Sequence, residues 1–325
     1  MKFILTIDTE GDNQWAHGRE LTVENIKYVP RFQNLCEKYL IKPTYLITYE
    51  VCNDGFAREI FKDYLKTDKA EIGAHLHSWT TPPYLEKDGY RFNDINHAFA
   101  SELSADLLAE KIKHLTNQIE ASFGNRSLSF RSGRYGFNRN VARELANNSY
   151  MIDSSVTPFM RWTSLQGIPG GTGGPDFIDH TPFPFKYDFD NRSLIEIPVT
   201  ILPTKFPLNI SQRTAINYFR NVDKSIFLRI LRKVLFRNQP LWLRPLPWMD
   251  ISLFEELIDE AIKIKLPYIV MMFHSSELMP GCSIYRSDKE AVEKLYDLLE
   301  LFFELLSKKN IASVTLTEAA RIYGA

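Results

Sequence analysis

The sequence of 325 residues has few cysteines, no long hydrophobic run and almost no net charge. Its three cysteines are widely spaced and form no C-x-x-C pair, which predicts reduced thiols in a reducing compartment. No apolar stretch is long enough to span a bilayer, so we expect no transmembrane helix. The formal net charge of −1 argues against general nucleic-acid binding, and we expect no nucleic-acid partner.

The chain begins with a short apolar run at residues 2–7 that leads directly to the carboxylate of Asp8. This run is too short for the apolar core of a signal peptide, and we interpret it as a first β-strand. Together with the reduced cysteines, it predicts a cytoplasmic protein.

Short apolar runs alternate with segments of helical periodicity along the chain. The predicted strands are 2–7, 44–47, 71–74, 128–130, 194–197, 268–273 and 312–316. The predicted helices are 23–39, 56–65, 104–123, 138–147, 252–264 and 289–307, with Ser104 and Ser252 as predicted N-caps. This alternation indicates parallel strands joined by helices, hence a barrel or a doubly wound sheet. Both architectures bind ligands at the carboxyl ends of the strands.

Residues 156–190 break the alternation, because the glycine-rich stretch 167–175 favours neither helix nor strand. Its glycines resemble a phosphate-binding loop, but no Gly-Lys-Ser/Thr follows them and no helix begins directly after them. We therefore interpret the stretch as a long loop that serves as a mobile lid or a surface excursion.

Two polar motifs follow predicted strands and indicate a metal site. Asp8 and Glu10 are two residues apart, so they share one face of an extended segment. An acidic turn is the alternative interpretation of this motif. His75 and His77 have the same spacing after another strand, and paired imidazoles are a common way to bind a divalent metal. Two histidines and one carboxylate leave positions open for water and substrate, which is typical of a catalytic site.

Two further motifs place an arginine and a histidine after other strands. Arg131 could hold a carboxylate in its charged form, although with Arg134 it could equally form a surface pair. His274 closes the strand 268–273, where it could donate a proton to a leaving group or bond to the following loop. Because the carboxyl ends of parallel strands meet at one end of the fold, we expect all four motifs to form one site.

At these motifs the sequence resembles the polysaccharide deacetylases, also called carbohydrate esterase family 4 or the NodB-homology family, and especially its WalW-like members associated with surface-polysaccharide loci. The resemblance extends from residue 1 to about residue 316. It implies a catalytic base, a metal-ligating carboxylate, two metal-binding histidines, an arginine that steadies the base, a later aspartate motif and a general acid. These resemble, in that order, Asp8, Glu10, His75, His77, Arg131, Asp153 and His274.

The resemblance implies a distorted (β/α) barrel in a single domain, 1–325, with loop and basic-helix insertions at about 156–250. It implies a metal-dependent hydrolase that removes an acetyl group from an N- or O-acetylated sugar in surface polysaccharide metabolism. One divalent ion, expected to be zinc, is implied as cofactor. The expected partner is an acetylated carbohydrate or a lipid-linked glycan precursor.

Two departures from the family pattern leave alternatives open. The family commonly has adjacent aspartates in its first motif, whereas here a threonine separates the two carboxylates, so Asp12 is a rival ligand to Glu10. The second motif is usually His-x-x-x-His, whereas the residue four after His75 is Trp79. The alternative functions are a hydrolase of another small amide, such as a ureide or formamide, and an inactive carbohydrate-binding protein.

Residues 213–244 contain eight basic residues and one acidic residue, and we call them the basic segment. The apolar residues within 224–236 fall on one helical face, which predicts a basic amphipathic helix. Such a helix commonly packs against its own fold. The alternative is peripheral contact with an anionic membrane or a lipid-linked glycan.

Overall fold

The computed structural model describes residues 1–14, 21–84, 86–87, 90–91, 97–204 and 240–324. Its centre is a curled, mostly parallel sheet of eight strands with helices on its outer face, which confirms the predicted distorted (β/α) barrel. The strands are β1 (Lys2–Thr9), β2 (Thr44–Ile47), β3 (Glu71–Leu76), β4 (Glu86–Lys87), β5 (Tyr90–Arg91), β6 (Ser129–Ser132), β7 (Ile152–Asp153), β8 (Phe185–Phe189), β9 (Arg192–Glu196), β10 (Ile201–Leu202), β11 (Leu241–Trp242) and β12 (Tyr268–His274). The described α-helices are α1 (Val29–Lys38), α2 (Tyr49–Asn53), α3 (Gly55–Lys66), α4 (Ala105–Phe123), α5 (Arg139–Asn147), α6 (Ile251–Lys263), α7 (Lys289–Lys308) and α8 (Leu316–Gly324).

Seven parallel strands lie in the order β12, β1, β2, β3, β6, β7 and β9, and β8 pairs antiparallel with β9 at the edge. Beyond β9 the chain returns to the opposite edge of the sheet. There Thr200 N donates to Val270 O (3.1 Å), and Val270 N donates to Thr200 Oγ1 (2.7 Å). These bonds bring the chain after β9 against β12, so the carboxyl ends of the strands surround a common space.

Alternation along β1 divides its side chains between two buried layers. Phe3, Leu5 and Ile7 belong to the large cluster between the sheet and the helices, whereas Ile4 belongs to a smaller cluster inside the curl. The members of this inner cluster are Ile4, Leu46, Ile152, Ile195, Ile197, Tyr268, Val270, Val314, Leu316, Ala319 and Ala320. Because three of them belong to α8, this helix closes the amino-terminal end of the barrel. The carboxyl end is left for polar side chains.

Two local predictions are wrong, and hydrogen bonds explain both. The predicted strand at 312–316 is an isolated bridge between Phe3 and Ser313, and Glu318 accepts from Thr315 N (2.9 Å) to begin α8 instead. The predicted N-cap Ser252 lies inside α6, whose cap is Asp250, the acceptor of Leu253 N (3.0 Å). The other predicted cap is confirmed, since the Ser104 side chain accepts from the third residue of α4.

The glycine-rich stretch 167–175 is anchored to the body of the protein by Glu102. This carboxylate accepts from Ile168 N (3.1 Å) and Gly173 N (2.9 Å). A Cβ at Gly167 would lie 1.8 Å from Glu102 Oε2, so a larger residue at this position would displace the Glu102 carboxylate. Backbone N–H groups of the stretch that resembled a phosphate-binding loop thus bind an acidic side chain of the same chain, which favours the interpretation as a surface excursion.

Among the helices of the described ranges, none combines the length and the apolar character that a bilayer crossing requires. The amphipathic helix predicted at 224–236 lies outside the described residues, and the prediction stays open.

Candidate metal and catalytic site

The four polar motifs predicted from the sequence come together at the carboxyl end of the barrel. Asp8 of β1 is the register partner of His274 of β12, and His75 of β3 is the register partner of Arg131 of β6. Glu10 and His77 follow their strands directly. Five side chains of the site are buried: Asp8, Glu10, His75, His77 and Arg131. The parallel register therefore assembles one site from residues that are far apart in sequence.

Glu10, His75 and His77 form a compact group of buried side chains. One ligand atom from each lies within 4.8 Å of the others, and the described part of the chain has no second group of three such residues. His77 Nε2 is 2.9 Å from His75 Nε2 and 3.1 Å from Glu10 Oε2, and His75 Nε2 is 3.7 Å from the same oxygen. Imidazole nitrogens and carboxylate oxygens are common protein ligands of divalent metal ions.

The outer nitrogens of both imidazoles are held by neighbouring groups. His75 Nδ1 lies 3.0 Å from the carbonyl oxygen of Arg131, to which it can only donate. His77 Nδ1 lies 2.6 Å from the Gln14 amide, and the network of neighbours orients the amide oxygen toward it. In this orientation the same oxygen accepts from Trp79 Nε1 (3.0 Å), and the amide nitrogen donates to Glu50 Oε1 (2.9 Å). Both Nδ1 atoms are therefore donors.

This bonding pattern fits a metal ion at the group. With protons on both Nδ1 atoms, the neutral rings of His75 and His77 direct two lone pairs at each other. Burial lowers the pKa of His77, with Glu10 opposing the effect, so the neutral ring is favoured. Glu10 Oε2 is buried and has no hydrogen-bond donor among the described residues. A divalent cation would satisfy all three acceptors at once, because each would donate a lone pair to it.

Asp8 is held in its charged form by Arg131, with which it forms a buried ion pair. The guanidinium is fully buried and donates to Asp8 Oδ1 (2.7 Å), Thr6 Oγ1 (2.9 Å), Ser154 O (2.7 Å) and Ser154 Oγ (3.0 Å). Burial raises the pKa of Asp8, but Arg131, His75 and His274 together hold it below its ordinary value. Asp8 Oδ2 makes no bond to Arg131 and faces the site.

His274 stands near the free oxygen of Asp8, with its Nε2 4.0 Å from Asp8 Oδ2. Its Nδ1 lies 3.1 Å from Arg244 Nη2 and 3.5 Å from Glu277 Oε1. Burial lowers the pKa of His274, but Glu10, Glu277 and Asp8 outweigh burial and raise it above its ordinary value. Arg244 can only donate, so its contact with Nδ1 places the proton of a neutral ring on Nε2, and the raised pKa favours the imidazolium; in both forms Nε2 carries a proton that can be released.

The structure also shows the roles of Asp12, the rival ligand, and of Trp79, the residue four after His75. The Asp12 carboxylate accepts from Thr22 Oγ1 (2.7 Å), Glu24 N (2.7 Å) and Asn25 N (2.9 Å), so it secures the following turn. The Trp79 ring packs against that of His77 at 4.4 Å between centroids. Trp79 therefore supports the second histidine, and His-x-His supplies two converging nitrogens without a histidine four residues later.

A group of aromatic rings lies beside the site. Tyr135 stacks on Trp162 at 5.5 Å between centroids, and Trp242 lies 5.9 Å from Tyr135. The Tyr135 hydroxyl reaches the sulfur of Met272 on β12 at 3.4 Å, two residues before His274. We call Tyr135, Trp162 and Trp242 the aromatic wall.

Several contributors to the site were not predicted from the sequence. Arg244 was counted as a member of the basic segment, but it is a buried residue after β11 that donates to Glu277 Oε1 (3.0 Å). Arg244 can be buried because the Glu277 carboxylate beside it compensates for the loss of hydration of its charge. Glu277 follows His274 by three residues, a spacing that could have indicated the contact. Gln14 had no sequence signal that we can name.

No protein-family model matches the chain, and no curated protein matches it in sequence. Solved structures match it in fold. A Parabacteroides distasonis protein assigned as a glycoside hydrolase/deacetylase is 13% identical, with 99% of this chain and 70% of that one covered and a TM-score of 0.58. A Mycobacterium smegmatis protein assigned as a polysaccharide deacetylase is 11% identical, with coverages of 98% and 88% and a TM-score of 0.55.

A third structure limits what these likenesses show. The 4-alpha-glucanotransferase of Thermococcus litoralis is 10% identical, with 98% of this chain but 38% of that one covered and a TM-score of 0.51. Deacetylases and a glucanotransferase share this architecture, so the likeness shows the fold, and function has to be argued from the site.

Proposed function

We propose that this protein is a metal-dependent hydrolase that removes an acetyl group from an N- or O-acetylated sugar in surface polysaccharide metabolism. The observation that carries the proposal is the convergence of three ligand atoms, from Glu10, His75 and His77, beside Asp8 and His274. A site with three protein ligands keeps positions for water and substrate, as catalytic zinc sites do. Zinc is the ion we propose.

The residues beside the ligands have complementary proton roles. Asp8 Oδ1 is fixed by Arg131, so Oδ2 is the atom that takes a proton from the attacking water. His274 Nε2, 4.0 Å from that oxygen, gives a proton to the departing nitrogen or oxygen of the sugar. When bound, a divalent ion supplies polarisation of the acetyl carbonyl and a lowered pKa for its water. After these steps Asp8 holds the proton of the water and His274 has lost one, so a proton has to pass from Asp8 to His274, directly or through solvent, before the next turnover.

A sugar substrate is supported by the surroundings of the site. The aromatic wall lies close to β12, and aromatic side chains pack well against the apolar side of a sugar ring. Two solved structures of the same fold are assigned as deacetylases, and the sequence motifs resemble the WalW-like branch. The partner we propose is an acetylated carbohydrate or a lipid-linked glycan precursor, and the compartment is the cytoplasm.

The test is the release of acetate from a panel of N- and O-acetylated sugars. We expect release that stops after treatment with a chelator and returns when zinc or cobalt is added. The same incubation with N-formyl sugars and ureides identifies the alternative amide hydrolase, which would release formate or ammonia but no acetate. A protein that binds the sugars and releases no product after zinc loading would be the inactive carbohydrate-binding protein, and the proposal would be wrong.

A further inference from the structure

Two buried carboxyl groups lie next to the site and have no role in the chemistry above. Asp153 of β7 and Glu196 of β9 are register partners, and both are fully buried. A pair of acidic side chains in adjacent buried positions is unusual, because two charged carboxylates would each lose hydration and repel the other.

The hydrogen bonds of the two groups differ. Asp153 accepts from Ser155 at both oxygens, from Oγ (2.9 Å) and from N (2.7 Å). Glu196 accepts from Val156 N at Oε1 (3.0 Å), while its Oε2 is buried and receives no donor from the described residues. Asp153 is therefore bonded as a carboxylate, whereas Glu196 has one oxygen that would be unsatisfied unless it carried a proton.

The Arg131 guanidinium lowers the pKa of both carboxyl groups from a distance, but it does not outweigh the effects that raise them. Arg131 uses its hydrogen bonds on Asp8, Thr6 and Ser154, and none of its described bonds reaches either buried carboxyl. Burial and the neighbouring Asp153 raise the pKa of Glu196 well above its ordinary value. Burial also raises the pKa of Asp153, to about 6. The pair retains one proton at neutral pH because two adjacent charges in this interior would be too costly.

We propose that Glu196 is a protonated, neutral acid that donates to Asp153 and acts as a positioning residue for the catalytic arginine. Asp153 holds Ser155, whose Oγ in turn accepts from Ser132 N (2.8 Å) at the end of β6. Ser154 lies between these two anchors and binds Arg131 through its carbonyl and its hydroxyl. The proton on Glu196 therefore stabilises the segment 153–155, which orients Arg131 toward Asp8.

The catalytic consequence rests on the proposed function, but the protonation itself does not. Infrared spectroscopy at pH 7 to 8 tests it, because exposed carboxyl groups are ionised there and a buried acid keeps its separate carbonyl stretching band. We expect such a band in the wild type and its loss in Glu196→Gln. Absence of the band from the wild type, or its persistence in the variant, would overturn the inference whether or not the protein hydrolyses any sugar.

The positioning role is tested by a matched pair of variants. Gln at position 196 keeps the shape and supplies an N–H donor to Asp153, so Glu196→Gln should release acetate within about twofold of the wild type. Glu196→Met keeps the volume but supplies no donor, and we expect its turnover to fall about tenfold or more at unchanged zinc content. Equal turnover in both variants would refute the positioning role. An equal loss in both would also refute it, since the donor would then not be what matters.

Discussion

Replacement of Arg131 by methionine should reveal how strongly the arginine and the proposed base depend on each other. The guanidinium is fully buried, and its partner Asp8 is 2% exposed, so the change leaves a carboxylate without its counter-ion. Breaking a buried ion pair on one side typically destabilises a protein by about 3–5 kcal/mol. We expect Arg131→Met to lower the free energy of unfolding by that amount.

The charge on Asp8 should account for a defined share of this loss. In an Asp8→Asn background the arginine still loses its bonds to Thr6 and Ser154, but no buried charge is left behind. A hydrogen bond to a charged group contributes about 1.5–3 kcal/mol, so Arg131→Met should be less destabilising in that background by about 2 kcal/mol. The stability of Arg131→Lys should lie between those of the wild type and Arg131→Met, since lysine keeps the charge but not the planar set of donors.

The same pair predicts a direction for the pH dependence of stability. The pKa of Asp8 is below its ordinary value of 3.8 in the folded protein. Its contribution is therefore fully present above that ordinary value and is lost as the pH falls through the lower folded value. The coupling between positions 8 and 131 should be unchanged between pH 6 and pH 8.

Urea unfolding of the wild type, both single variants and the double variant, all treated with chelator, measures this coupling. Chelation removes metal binding from the comparison. A coupling below about 0.5 kcal/mol would contradict the assignment of Arg131 as the counter-ion of Asp8, because residues in contact within one network usually couple by more than this.

Three further predictions concern the metal and the basic segment. His75→Ala should lose most of its bound metal in elemental analysis, and full retention would remove His75 from the ligand set. Gln14→Leu should weaken zinc affinity about 10–100-fold in a chelator competition, because the amide fixes the tautomer of His77; unchanged affinity would exclude that role. If 224–236 contacts anionic lipid, the protein should sediment with anionic vesicles less strongly as salt increases, since each cation near the surface contributes about 1 kcal/mol. A variant with glutamine at three cationic positions should not sediment with the vesicles but should hydrolyse small soluble substrates. Equal sedimentation of the variant and the wild type would indicate that the helix only packs against its own fold. The three positions are Arg229, Arg232 and Lys233.

The strands that carry the site could be predicted because each is a short apolar run that ends in a polar motif. β2 was predicted with its observed bounds, 44–47, and β1, β3 and β12 extend the predicted runs by one or two residues to include Asp8, His75 or His274. The motif residues were therefore visible as strand ends. Parallel pairing then fixes which end of the barrel they share.

Other elements lack a signal of this kind. β7 is only two residues long, and β8 alternates between partly buried and exposed residues at the edge of the sheet. The run at 312–316 looked like a strand, but bonds between Thr315 and Glu318 begin a helix there. In each case the outcome depends on contacts with other parts of the chain that periodicity does not contain.

The supporting residues of the site were harder to predict than its central ones. Glu196 meets Asp153 only through the register of two strands, and Gln14 meets His77 across the space between two loops. Arg244 belonged by composition to the basic segment, yet it is paired with Glu277 inside the protein. A sequence motif identifies groups that react or bind metal, whereas their partners are defined by the fold.

The most direct test of the central claim is the rate of acetate release per bound zinc from an acetylated sugar, compared among the wild type, Asp8→Asn and His274→Ala. Neither residue is in the proposed ligand set, so both variants should retain metal and fold. The rate of acetate release should fall by about 100-fold or more in each variant, which is the contribution expected of one general acid or base. Release at the wild-type rate from either zinc-loaded variant, or none from the wild type with any acetylated sugar, would contradict the account.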